Sequence, residues 1–153
     1  MPRKRKRSKP IEDILETVDT DKKHIYWVHL KKKGHGGYVK IPRFNGIDTE
    51  GILTIGQSKT IRTRLKAFRK GIMDNKHHSE AMTFHYLLEK CPSLRRRLGR
   101  PDSIQARLDV RVKEVRDLDK AESEAIDKYI RRFGEPPPLN GVIPGKRDRK
   151  KNK

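Results

Sequence analysis

Glu122 is a carboxylate set among apolar residues. Projecting Asp119 to Phe133 at about 100° per residue gathers Ala125, Ile126, Tyr129, Ile130 and Phe133 into one arc, with Glu122 near its centre. Glu124, Asp127, Lys128 and Arg131 fall outside the arc. An unpaired carboxylate is costly to bury, so this position calls for an Arg, a Lys or a metal ion opposite it. The same residues allow a plainer reading, with Asp119 as helix N-cap and Glu122 as the third helical residue, a capping-box-like D-x-x-E. The two readings are compatible.

Other chemistry-bearing residues are fewer. His77, His78 and His85 lie around one predicted helix but lack a paired-cysteine partner or an H-E-x-x-H spacing, so they read as surface or phosphate-contacting histidines. Cys91 is the only cysteine, which excludes an intrachain disulfide. The sequence offers no Ser-His-Asp order, phosphate-binding glycine loop or dinucleotide fingerprint.

Charge narrows the partner. The chain has 39 Lys and Arg against 20 Asp and Glu, a formal charge of +19. Residues 1–10 and 144–153 together carry +11, and the remaining +8 lies in residues 11–143. Such a surplus favours a polyanion through counterion release, nucleic acid above all, against the alternatives of a merely solubilising charge or a ribosome-associated protein. Leu, Ile, Val and Phe number 35, or 23%, above the roughly 20% at which a highly charged chain is expected to be disordered. The expectation is one folded domain over 11–143 between a basic arm, 1–10, and a basic tail, 144–153, both disordered. With no apolar run near the ~20 residues of a bilayer span and no signal-peptide pattern, the expected location is soluble and intracellular. PRKRKRSK near the start would serve as a nuclear signal in a eukaryote, and reads equally as a nucleic-acid-binding arm; otherwise the location is cytoplasmic.

These residues need elements to position them. Ile11, Ile14, Leu15 and Val18 mark a short amphipathic helix, and HIYWVHL at 24–30 a strand with Tyr26, Val28 and Leu30 on one face. A glycine-rich loop over 34–51 includes a possible strand at Tyr38–Ile41, and GILTIG at 51–56 reads as a central strand. Ser58 or Thr60 caps a helix in which Ile61, Leu65, Phe68 and Ile72 form a stripe ending near Gly71, with Arg64 on one border and Arg62 and Arg69 on the other. A helix over Ser79–Lys90, a basic connector over Ser93–Ser103 and a half-buried strand at Leu108–Lys113 precede the Glu122 helix, which ends at Gly134. That order predicts an α+β fold: a small antiparallel sheet flanked by helices.

Over about Ile25–Asn140 the blocks resemble the GIY-YIG nuclease family. HIY at 24–26 stands where the family has GIY, TIG at 54–56 stands for YIG, and QSKTIRTRL places Arg64 at the family's arginine. AESEAIDKYIRRFGEPPPLN is similar to its ending, a helix bearing a metal-binding Glu and a Pro-rich turn leading to Asn; spacing from Tyr129 selects Glu122 rather than Glu124. Two residues depart from the pattern: His24 replaces a glycine, and Thr54 replaces the second motif tyrosine.

The resemblance implies a three-stranded antiparallel sheet flanked by helices and a metal-dependent DNA endonuclease that hydrolyses phosphodiesters. Glu122 would hold Mg²⁺ or Mn²⁺. Arg64 would clamp the phosphate, and Tyr26 would serve as general base or water-orienting group, its phenol helped by the cation of Lys59. Asn140 would orient the site or close the Pro-rich turn. Non-catalytic contacts to nucleic acid are expected from Arg62, Arg69, His77, His78, Arg95, Arg96, Arg97 and Arg100. The alternative is a catalytically weakened module of the same type that binds DNA or RNA, the reading that Thr54 favours.

Overall fold

The computed structural model describes residues 7–19, 21–34, 36–74, 76 and 78–141. Their elements are β1 (Lys9–Pro10), α1 (Ile11–Thr17), β2 (His24–Leu30), β3 (Ile41–Arg43), β4 (Gly46–Asp48), β5 (Ile52–Ser58), α2 (Ile61–Asp74), α3 (Ser79–Lys90), α4 (Pro92–Leu98), α5 (Pro101–Gln105), β6 (Leu108–Glu114) and α6 (Leu118–Phe133). The fold is α+β. Its main sheet runs β1-β6-β2-β5, with every neighbouring pair antiparallel.

The three expected strands form β6-β2-β5. A fourth, β1, comes from the end of the expected basic arm and pairs with Val110 and Asp109. Two residues have no period to detect, and a proline is tolerated only because β1 lies on the sheet edge. Residues 1–6 of the arm and the whole predicted tail, 144–153, lie outside the described residues.

Strand β2 is apolar on both faces because both are covered. Tyr26, Val28 and Leu30 pack with Ile61, Leu65 and Phe68 of α2, together with residues of α1 and α3, in the larger core. On the other face Ile52 and Ile55 of β5 meet Ile126, Tyr129 and Phe133 of α6, with Trp27 beside them. The α2 stripe is fully buried at Ile61, Leu65, Phe68 and Ile72, each such side chain contributing roughly 1.5–3 kcal/mol of transfer free energy. Helix α2 continues past Gly71 to Asp74. A Cβ at Gly71 would lie 2.8 Å from Ala81 Cβ, so glycine lets α3 approach closely and sets where its first turn sits.

Other boundaries differ from expectation. Tyr38 forms only an isolated bridge to Lys31, and the loop instead builds a separate β3–β4 hairpin. The basic connector holds α4 and α5, each beginning with a proline at a position where its missing N–H costs nothing. Helix α6 is capped by Asp117, which accepts from Lys120 N at 3.1 Å, not by Asp119. Glu122 therefore lies in the second helical turn, and the capping-box reading of it is overturned. Tyr129 registers the helix against the sheet by donating at 2.8 Å to Asp48, a wholly buried carboxylate that also accepts from Glu50 N and Ile52 N. Among the described residues no helix is long and apolar enough to cross a membrane.

Candidate active site

Tyr26 is placed by strand register. It lies opposite Gly56 of the edge strand β5, and a Cβ at Gly56 would fall 2.4 Å from the Tyr26 Cζ and Oη. Only glycine leaves room for the ring to cross β5 with its hydroxyl at the sheet edge. Gly56→Ala is therefore expected to displace the ring, and with a misplacement near 1 Å to lower any activity that uses it on the order of 10²-fold. Steady-state rates of that activity beside a melting curve check this, because a variant that loses stability without losing rate would place Gly56 in packing alone.

Around the hydroxyl stand residues from α2 and the start of α3. Arg64 Nε donates to Tyr26 Oη at 3.4 Å, and His78 Nε2 lies 3.3 Å from the same oxygen. His78 Nδ1 is 3.0 Å from Glu80 Oε2, and Arg64 Nη2 is 3.7 Å from that carboxylate oxygen. Arg64 thus contacts both ends of a Tyr26–His78–Glu80 chain.

The electrostatics fit this arrangement. Burial pushes the Tyr26 hydroxyl up to about 12; Arg64 opposes the shift by charge and hydrogen bond, while the carboxylates of Glu80 and Glu122 add to it. The influence of Glu122 at this oxygen is notable because α6 covers the opposite face of the sheet. Burial acts to raise the Glu80 carboxyl, but hydrogen bonds from His78 and Ser79 outweigh it and hold the group down to about 2. A depressed carboxylate stabilises the fold above its ordinary value of 4.5 and loses that contribution as pH falls toward 2. The wild type should accordingly lose melting temperature across that window, and Glu80→Gln should show a shallower loss; parallel curves would remove Glu80 from the balance.

The expected residues divide as follows. Arg64 donates to Tyr26, and Glu122, half-buried on the Ile126, Tyr129 and Phe133 stripe, acts on Tyr26 through its charge alone. Lys59 is exposed in the turn after β5 and is not among the strongest charges on Tyr26; Arg64 takes the part expected of it. Asn140 closes the Pro-rich turn, one of the two parts expected of it: its Oδ1 accepts from Ile55 N at 2.9 Å and its Nδ2 donates to Ile55 O at 2.8 Å. The side chain extends the ladder at the open edge of β5 and pins the Pro-rich turn.

His78 is corrected. At 1% exposed it is buried behind Tyr26 at the position just before α3, with Nδ1 turned to Glu80. His77 lies outside the described residues. His85 turns to the Ile72 carbonyl at 2.7 Å. Arg62 and Arg69 reach toward Val18 O and Glu12 on the α1 side, away from Tyr26. Arg95, Arg96, Arg97 and Arg100 are exposed around α4 and α5, as a polyanion contact requires. Cys91 is exposed after α3.

Glu80 was not foreseen. Its only local signal is an acid in a first helical turn, which reads as a dipole contact until α3 is folded against α2. Among the described residues no three His, Cys, Asp or Glu side chains cluster to hold a metal. A single carboxylate such as that of Glu122 would suit an ion retaining most of its water, such as Mg²⁺. Comparison of the chain with family models, curated proteins and solved structures returned no match.

Proposed function

We propose that this chain is a metal-dependent endonuclease of the GIY-YIG type, cutting phosphodiester bonds in DNA. The observation that carries the reading is the Tyr26 hydroxyl, held between Arg64 and His78 with Glu80 behind the histidine. A buried phenol joined to a histidine and a carboxylate is a proton path, and Arg64 beside it is a cationic fork for a phosphate. The sequence motifs and the +19 charge support the same reading.

The proton accounting uses only this chain's residues. Tyr26 accepts a proton from the attacking water as it passes its own to His78 Nε2, and the resulting imidazolium is held by Glu80, which stays ionised. Arg64 binds non-bridging oxygens of the phosphate, where charge develops. Glu122 would hold the divalent ion, which when bound supplies Lewis-acid stabilisation of the phosphate and leaving oxygens.

Nicking of supercoiled plasmid with and without Mg²⁺ or Mn²⁺ tests this reading, with an RNA of the same sequence as the second substrate. Cleavage of RNA alone would reassign the substrate. Thr54 favours the second reading, a binding module: it is 1% exposed where the family has its second phenol, so the hydroxyl of this residue does not stand in for it. Retained duplex binding with no cleavage in either metal would select that module.

A further inference from the structure

The β3–β4 hairpin presents an aromatic side chain to solvent. Phe44, at its turn, is 87% exposed, and Ile47 beside it is 55% exposed. Free apolar tips are ordinarily mobile, but this one is held on both sides. Arg43 pairs with Glu135, and Asn45 N donates to Phe133 O at 2.9 Å while its side chain donates to Arg132 O at 3.1 Å. The chain thus fixes both neighbours of Phe44 to the end of α6 and leaves the ring itself outside.

The surroundings identify the partner. Glu135 is matched by Arg43, whereas Arg131 and Arg132 in the last turn of α6 are exposed cations. An aromatic ring in a cationic setting, on a chain of charge +19, complements a stacked polyanion rather than an apolar protein face. The described arginine-rich segment from Arg95 to Arg100 supplies charge but no aromatic ring. Eleven residues of α6 separate Glu122 from Phe133, about 16 Å along the axis, or roughly five nucleotide steps at 3.4 Å each. One bound strand can span both.

We propose that Phe44 is a base-stacking residue, contacting the π-face of a nucleobase while α6 and its arginines follow the backbone. The inference rests on the nucleic-acid part of the proposed function and not on catalysis. A base in an unpaired strand and a base step opened in a duplex offer the same chemistry.

The test is anisotropy of labelled 20-nucleotide single-stranded and duplex DNA, without divalent metal so that no strand is cut. Phe44→Ala is expected to weaken binding roughly 5- to 100-fold on at least one of the two, with an unchanged slope of log affinity against log salt because no charge is lost. Which DNA suffers identifies the source of the base. Phe44→Trp should restore affinity, and in a Trp27→Phe background, where position 44 is the sole tryptophan, its emission should become shielded from acrylamide in the complex. Wild-type affinity of Phe44→Ala on both DNAs, no binding of either DNA by the wild type, a shallower salt slope, or a tryptophan equally accessible in the complex would each overturn the proposal. Loss of binding in Phe44→Ala with no cleavage by the wild type would sink the nuclease reading alone, while cleavage with unchanged Phe44→Ala binding would sink the stacking role alone.

Discussion

Glu122→Gln is expected to remove Mg²⁺-dependent cleavage while leaving the fold and most of the DNA affinity in place. The amide preserves size and loses the charge that would hold the ion. If the ion supplies several kcal/mol to the transition state, the loss at about 1.4 kcal/mol per tenfold is on the order of 10³-fold or more. On the proposed reading affinity would come instead from distributed Lys and Arg contacts, which the substitution leaves untouched. Glu124→Gln is the control: two residues on, it projects from roughly the opposite side of the helix and is exposed. Cleavage that survives Glu122→Gln, or falls equally in the control, would remove Glu122 from the site.

The prominence of Glu122 was legible because α6 is long and its apolar period unbroken, so one charge in the stripe shows up against its neighbours. Its location in the second turn was not, since Asp117 and Asp119 are both acceptable caps and only the folded backbone chooses between them. The α2 stripe and strand β2 were legible for the same reason of regular period. Strands β3 and β4 have three residues each, too few for alternation to register, so the hairpin that carries Phe44 read as loop.

The site divides along the same line. Tyr26 and Arg64 lie in periodic elements whose faces can be counted from the sequence. The Tyr26–His78 contact spans 52 residues and depends on Gly71 letting α3 close on α2, which no local pattern records. Asn140 illustrates the converse: its position in the Pro-rich ending was readable, yet only the coordinates reveal that both polar atoms of the carboxamide are consumed by the Ile55 backbone.

Tyr26→Phe is expected to lower cleavage by roughly 10²–10⁴-fold, the range for losing a positioned acid–base group, with binding intact because the substitution removes no charge. His78→Asn is the more discriminating variant. Asparagine is a favoured N-cap, so the start of α3 is kept, but the amide cannot take the proton that Tyr26 must release. Cleavage would then depend on the free phenolate. With the hydroxyl raised to about 12, the phenol stays protonated at neutral pH, and the phenolate fraction grows about tenfold for each pH unit below that value. The variant should therefore be slow at pH 7 and gain rate nearly tenfold per unit up to pH 10, where the wild type, with its proton acceptor in place, stays flatter. Initial rates on a short duplex across that range decide the matter. A His78→Asn profile parallel to wild type would reduce His78 to a cap, and wild-type rates in Tyr26→Phe would move the base elsewhere.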